Sequence, residues 1–260
     1  MDLNKILKLT NQEIQLILFL EKYTEGKWTI NKKTGLVDIK GDFRCHRKEL
    51  KDFKGVRFGV VTGDFDCSDN NLTSLEGAPQ VVGGSFDCSW NNLTSLEGAP
   101  QEIGWSFYCH NNKLTSLEGA PQVVGENFRC YDNSLTSLEG APQVVGNNFY
   151  CHDNKLTSLE GAPRKVGGYF HCHSNNLTSL VGAPQVVGGD FDCSYNPISQ
   201  KTLKLVWETM QEKKVDYLGA LCILKGQIDS GEWNKMIRGY EDSITSEAIK
   251  TYSIVSRYSL

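Results

Sequence analysis

Residues 84–104 read Gly84-Ser-Phe-Asp-Cys-Ser-Trp-Asn-Asn-Leu-Thr-Ser-Leu-Glu-Gly-Ala-Pro-Gln-Glu-Ile-Gly104, and the fold follows from how often that phrase returns. Its Phe-x-Cys core starts at Phe43, Phe65, Phe86, Phe107, Phe128, Phe149, Phe170 and Phe191. The first step is 22 residues and the other six are 21. Self-similarity at a fixed short period means stacked units, each of which buries its apolar face only against its neighbours.

Each part of the unit has a physical task. Phe and Cys alternate with polar residues, as on a strand with one buried face. Three residues after each repeat Cys from Cys67 to Cys193 comes Asn: Asn70, Asn91, Asn112, Asn133, Asn154, Asn175 and Asn196. An amide inside the bend after a strand is expected to bond the backbone of its own and the neighbouring turn. Two leucines, such as Leu93 and Leu96, fill the core. Gly98 and Pro100 then break any continuing element, and the pair Val81 and Val82 is expected to refill the core on the return side. Eight of the nine cysteines fall at one position of the unit. Rungs about 4.8 Å apart would aim these thiols in parallel, which suits no disulfide. Together with the odd total, this points to a reducing, cytoplasmic setting.

Phe86-x-Cys88-x-x-Asn91-x-Leu93 resembles the leucine-rich-repeat pattern Leu-x-Leu-x-x-Asn-x-Leu, with Phe and Cys at the inward strand positions. The short unit is similar to the bacterial and phage class, and the match covers roughly residues 41–198. Phage-encoded repeat proteins carry a similar Leu-Thr-Ser-Leu-Glu-Gly-Ala-Pro phrase. The resemblance implies an α/β repeat: a leucine-rich-repeat-like solenoid with a parallel sheet on its concave side, acting in the host cytoplasm. One position departs from the family, because its first leucine would fall on Gly83 while the apolar residue is Val82. Some bacterial proteins with similar repeats carry a ubiquitin-ligase cysteine. The tail here has no Cys-x-Asp, so that role is not carried over.

Three regions are expected. Residues 1–40 form an α/β N-terminal cap, with a capping box at Thr10-Asn11-Gln12-Glu13 and a hairpin from Trp28–Ile30 to Leu36–Ile39. Residues 41–198 form an eight-turn solenoid. Residues 199–260 form a helical C-terminal cap, with helices near 199–213, 216–227, 231–241 and 246–258 and a buried Cys222. The best apolar run, Ile14 to Leu20, is far shorter than a membrane span, so no membrane association is expected.

Function is sought where the units differ. The residue between Phe and Cys reads Arg44, Asp66, Asp87, Tyr108, Arg129, Tyr150, His171 and Asp192. The residue after Cys reads His46, Ser68, Ser89, His110, Tyr131, His152, His173 and Ser194. The next reads Arg47, Asp69, Trp90, Asn111, Asp132, Asp153, Ser174 and Tyr195. All five histidines lie in these columns, and Trp105 and Tyr169 precede the strand Phe. Aromatic rings with polar tips are what binding hot spots use. The expected partner-binding set is Asp66, Asp87, Trp90, Trp105, Tyr108, His110, Arg129, Tyr131, Tyr150, His152, Tyr169, His171, His173 and Asp192.

Charge narrows the partner. Residues 59–198 hold 5 basic and 15 acidic residues, net −10, whereas residues 1–58 hold 13 and 8, net +5. An acidic face repels phosphate, which disfavours nucleic acid there, and it favours a basic protein. The expected function is therefore a protein-interaction module that binds a basic protein on its concave face, a phage factor inhibiting a host protein. The alternative is a receptor for a nucleotide or sugar that uses the Tyr/His cluster. No enzyme activity, catalytic residue, cofactor or metal is expected. Each Cys faces the core and each His faces solvent, and a flat sheet spreads His152, Asp153, His171 and His173 apart. The sequence names no partner and no oligomeric state.

Overall fold

The computed structural model describes residues 10–215, 217–224, 227–229, 231, 232 and 236. Helix α1 (Asn11–Tyr23) starts at the expected capping box: the Glu13 N–H donates to Thr10 Oγ1 at 3.2 Å, and the Thr10 N–H donates to Glu13 Oε2 at 2.8 Å. Strands β1 (Thr24–Ile30) and β2 (Val37–Arg44) pair antiparallel as the expected hairpin. From there the chain winds as a solenoid of parallel strands.

Two ladders alternate along it. The first contains β2 and seven two-residue strands: β4 (Phe65–Asp66), β6 (Phe86–Asp87), β8 (Phe107–Tyr108), β10 (Phe128–Arg129), β12 (Phe149–Tyr150), β14 (Phe170–His171) and β16 (Phe191–Asp192). The second contains β3 (Phe58–Val61), β5 (Val81–Val82), β7 (Glu102–Ile103), β9 (Val123–Val124), β11 (Val144–Val145), β13 (Lys165–Val166) and β15 (Val186–Val187). Strand β2 joins them, pairing Ile39 with Val61 and Phe43 with Phe65. The single sheet expected on one side is thus two ladders on two sides. A complete turn needs a strand from each, so the eight Phe strands and seven Val strands enclose about seven turns, not eight.

The inward layer is uniform. The phenylalanines of β2 to β14 are fully buried, and consecutive rings from Phe65 to Phe191 stack at 5.3 to 5.5 Å with nearly parallel planes. Each ring is worth roughly 1.5–3 kcal/mol by burial, with a smaller stacking increment. The Val pairs behave differently from expectation. Only the second residue faces the core (Val82, Ile103, Val124, Val145, Val166), while Val123, Val144 and Val186 are exposed, because successive strand residues point to opposite faces. The position at which the repeat resemblance would put a first leucine is glycine for a steric reason. A methyl group on Gly104, Gly125, Gly146, Gly167 or Gly188 would overlap the carbonyl oxygen of the glycine one turn earlier.

At the N-terminal end, Phe19 and Tyr23 of α1 lie 5.6 and 6.2 Å from the Phe43 ring. At the other end, helix α2 (Gln200–Lys213) starts at Ser199, whose Oγ accepts from the Thr202 N–H. It buries Leu203, Val206 and Met210 and stacks Trp207 on Phe191 at 4.1 Å. Helix α3 (Tyr217–Leu224) follows. The side chain of Cys222 and most of the helices expected over 231–241 and 246–258 lie outside the described residues.

The Asn column ties each turn to the one before. Asn133 Nδ2 donates to the carbonyls of Cys109 at 3.1 Å, Cys130 at 3.1 Å and Tyr131 at 3.2 Å, while its Oδ1 accepts from the Leu114 N–H at 2.9 Å. Asn91, Asn112, Asn154, Asn175 and Asn196 repeat this pattern. Asn133→Ala should cost about 3 kcal/mol or more, because it strands buried backbone groups on two turns. The exposed Thr136→Ala should cost less than about 0.5 kcal/mol. Urea midpoints of the two variants check this.

Candidate functional site

The variable residues fall on the outer surface of the Phe ladder, but the strands are only two residues long. The first column alone is a strand column. Its members are half-buried and sit in register, Asp66 against Asp87, Phe107-Tyr108 against Phe128-Arg129, and Tyr150 against His171. Arg129 lies between two rings, 4.9 Å from the centroid of Tyr108 and 5.4 Å from that of Tyr150. His171 meets the Tyr150 ring edge-on at 5.1 Å and stacks with Tyr169 at 5.8 Å.

The second column closes on itself. His110, Tyr131, His152 and His173 stack face to face with 4.4 Å between successive centroids. The rung spacing imposes this, since parallel strands set like positions about 4.8 Å apart. One expectation fails here: His110 does not project into solvent. It is 8% exposed, covered on one face by Tyr131 and edged by Tyr108 at 6.3 Å. Its Nδ1 and Thr24 Oγ1 are the two buried side-chain polar atoms without a hydrogen-bond partner among the described residues. Burial, with Arg129 and His152 adding repulsion, pushes the His110 pKa down to about 4, so the ring is neutral.

The third column is not strand at all. Arg47, Asp69, Trp90, Asn111, Asp132, Asp153, Ser174 and Tyr195 all have φ between 50° and 55°. Asp, Asn and Ser tolerate this left-handed bend because their short polar side chains bond locally. Trp90 and Tyr195 do not share that advantage, and the conformation costs roughly 1–2 kcal/mol there. Both rings are nonetheless held out in solvent, 58% and 84% exposed. Trp105 is 61% exposed and Tyr169 also projects.

The acid on this face is partly neutralised from within. Arg44 bonds Asp42 at 2.8 Å and Asp64 at 3.0 Å, Arg47 bonds Asp69 at 2.9 Å, and His46 Nδ1 lies 3.0 Å from Asp66. Asp87 has no ion-pair partner among the described residues. Its Oδ1 accepts from the Ser89 N–H at 2.9 Å and the Ser89 hydroxyl at 2.6 Å. Burial raises its pKa, the Ser89 bonds oppose that, and the neighbouring Asp66 charge adds to it. Asp192 goes the other way: the Ser194 bonds and the His173 and His171 charges outweigh its burial and lower it. Asp66, Asp87, Trp90, Tyr108, His110 and Arg129 all line one open depression of about 860 Å³. Tyr150, His152, Tyr169, His171, His173 and Asp192 lie further along the same face, outside it.

Metal and thiol chemistry find little footing. The spreading expected of this cluster fails for three of its members, because rung spacing brings like positions together: among the described residues His152, Asp153 and His173 offer donors within 4.8 Å of one another. The two imidazoles are stacked only 10° from parallel. Their lone pairs lie in separate parallel planes, whereas zinc needs donors that converge tetrahedrally. The eight repeat cysteines are free and buried, and burial pushes Cys45 and Cys193 up to about 12, so these thiols stay protonated and unreactive.

Sequence reasoning passed over the locking of the carboxylates. The signal was present in Asp66-Cys67-Ser68, Asp87-Cys88-Ser89 and Asp192-Cys193-Ser194, where an aspartate can accept the N–H two residues on. Its pairing of His46 with Asp66 had no local signal, since the two belong to different turns.

The depressed His110 pKa has a consequence for stability. An unfolded His takes up its proton near its ordinary 6.5, while the folded one resists to about 4. The unfolded state therefore binds more protons in that window, and stability present above pH 6.5 is lost as pH falls through it. His110→Phe keeps a ring in the stack and removes the titration. Between pH 7 and 4 the parent should lose on the order of 2–3 kcal/mol more than this variant, read from paired urea titrations. No helix among the described residues is long and apolar enough to cross a membrane. No protein-family model matches this chain, and no curated protein matches it either.

Proposed function

We propose that this chain is a protein-interaction module of leucine-rich-repeat type. It binds a protein with a basic surface on the outer face of the Phe ladder, the side assigned to the concave surface. The observation that carries this reading is the contrast between the two layers of one repeat. The inward Phe, Cys, Asn and Leu positions hardly vary. The outward positions bring Asp66, Asp87, Trp90, Tyr108, Arg129, Tyr150 and the stacked His/Tyr column onto one continuous face. Two large rings held exposed in left-handed bends support a surface shaped for contact, since folding alone gains nothing from placing them there.

In this reading the terminal segments are caps. Phe19 and Tyr23 cover the first ring of the Phe ladder and Trp207 covers the last, which shields the ends of a stack that would otherwise pair with other molecules. The resemblance to phage-encoded repeat proteins favours a partner in the bacterial cytoplasm, a host protein that the chain inhibits. The nucleotide or sugar alternative draws less support. Rings stacked 4.4 Å apart spend their faces on one another and leave no gap for a planar ligand within the column.

A comparison of faces tests the reading. Asp87→Lys combined with Tyr150→Ala should abolish capture of the partner from bacterial lysate while shifting the melting temperature by less than about 3 °C. Val123→Lys combined with Val144→Lys, on the opposite ladder, should leave capture intact. If the opposite-ladder variant loses the partner and the Phe-ladder variant keeps it, the binding face is wrongly assigned.

A further inference from the structure

We propose that the depression at the N-terminal end of the Phe-ladder face holds one arginine side chain of the partner, its guanidinium set against Trp90 and shared by the carboxylates of Asp66 and Asp87. This rests on the interaction reading above and names the chemistry of its anchor.

The first observation is a pair of adjacent carboxylates of which one has no ion-pair partner among the described residues. Asp66 and Asp87 are directly in register on adjacent parallel strands, and like charges placed so are destabilising. Asp66 has His46 beside it, but Asp87 has no cation within ion-pair reach among the described residues. Arg129, in its own column, is held two rungs away between Tyr108 and Tyr150, so it acts on Asp87 through its charge at a distance and forms no ion pair with it. Each carboxylate has its Oδ1 tied down by the serine two residues on, so the pair is rigid and aimed.

The second observation is His110. This ring is more than nine-tenths buried, lines the same depression, and its Nδ1 has no partner. A buried polar nitrogen left unmade costs stability unless a ligand satisfies it. In the tautomer protonated on Nε2, Nδ1 is an acceptor. The carboxylates of Asp66 and Asp87 and this imidazole line one depression, and that set calls for a ligand rich in donors.

The third observation is the shape of the donor set. Among the described residues no three acidic or imidazole groups of this depression lie within 4.8 Å of one another, so a bare metal ion is too small to satisfy them together. A planar guanidinium carries five N–H donors in a fixed fork and packs flat on an indole. A lysine ammonium is compact and strongly hydrated, and it fits such a spread of acceptors less well. Trp90 supplies the exposed indole at the rim. The Arg129 charge at the far side of the depression repels a second cation, which fixes the end at which the arginine enters.

The test uses the full chain and four peptides of the form acetyl-Gly-X-Gly-amide, with X as arginine, lysine, citrulline or glutamine, followed by calorimetry or by NMR of the Trp90 indole. The arginine peptide should bind in the millimolar range or tighter, weaken as salt rises, and exceed citrulline by tenfold or more. Lysine should fall between them. Asp87→Asn should lower arginine binding about tenfold, and Trp90→Gly should lower it severalfold while the melting temperature holds or rises, because glycine suits the left-handed bend. Equal binding of arginine and citrulline, no binding at 20-fold higher peptide concentration, or unchanged binding by Asp87→Asn overturns the proposal. If the arginine peptide fails while the Phe-ladder variants still lose partner capture, the anchor is wrong and the interaction face stands. If it binds while those variants keep the partner, the face reading falls and the arginine site stands alone.

Discussion

One amide per turn closes the gap that the backbone leaves. Backbone bonds tie successive turns along both ladders, from Phe86 to Ser106 and Cys88 to Tyr108 on one and from Gly104 to Val82 on the other, but the bend that follows each Phe strand would leave backbone groups of two turns without partners. The Asn side chain fills that gap: its nitrogen reaches carbonyls of its own turn and the previous one, and its oxygen takes an N–H from the previous one. Asparagine is the residue for this because it offers donors and an acceptor on one short, uncharged arm. Aspartate lacks the donors, and leucine lacks both.

Everything inward follows from the rung spacing that this bridge maintains. The phenylalanines must stack, the thiols must point the same way without meeting, and the glycine column must stay bare because the backbone of the previous turn passes through the space of a side chain. The same spacing governs the outer surface, with a less obvious result. Rings on that surface fall within stacking distance of one another, so His110, Tyr131, His152 and His173 form a pillar. The pillar turns ring edges outward, and Trp90, Trp105 and Tyr195 are exposed rings around it.

The electrostatics are local. A strongly negative solenoid suggests a uniformly acidic face, yet Arg44, Arg47 and His46 answer most of the acid on the first turns. On these turns Asp87, in register with Asp66, is left without an ion-pair partner among the described residues. It shares one depression with a buried, neutral histidine and an exposed indole, and that combination is specific in a way the net charge is not.

The sequence by itself determined the period, the identity of the inward layer, the Asn bridge, the capping box of α1, the N-terminal hairpin and the columns in which variation is concentrated. These are readable because a repeat states the same local physics many times, and alternation, turn residues and caps act within a few positions of the chain. Tertiary structure alone decided what lies 21 residues apart. It split one expected sheet into two ladders, turned the third column from strand into left-handed bend, buried His110 beneath its neighbours, and set Arg129 between Tyr108 and Tyr150. Those outcomes depend on side chains of different turns meeting at a spacing fixed by the backbone. No single unit records that spacing, because it exists only once the units are stacked.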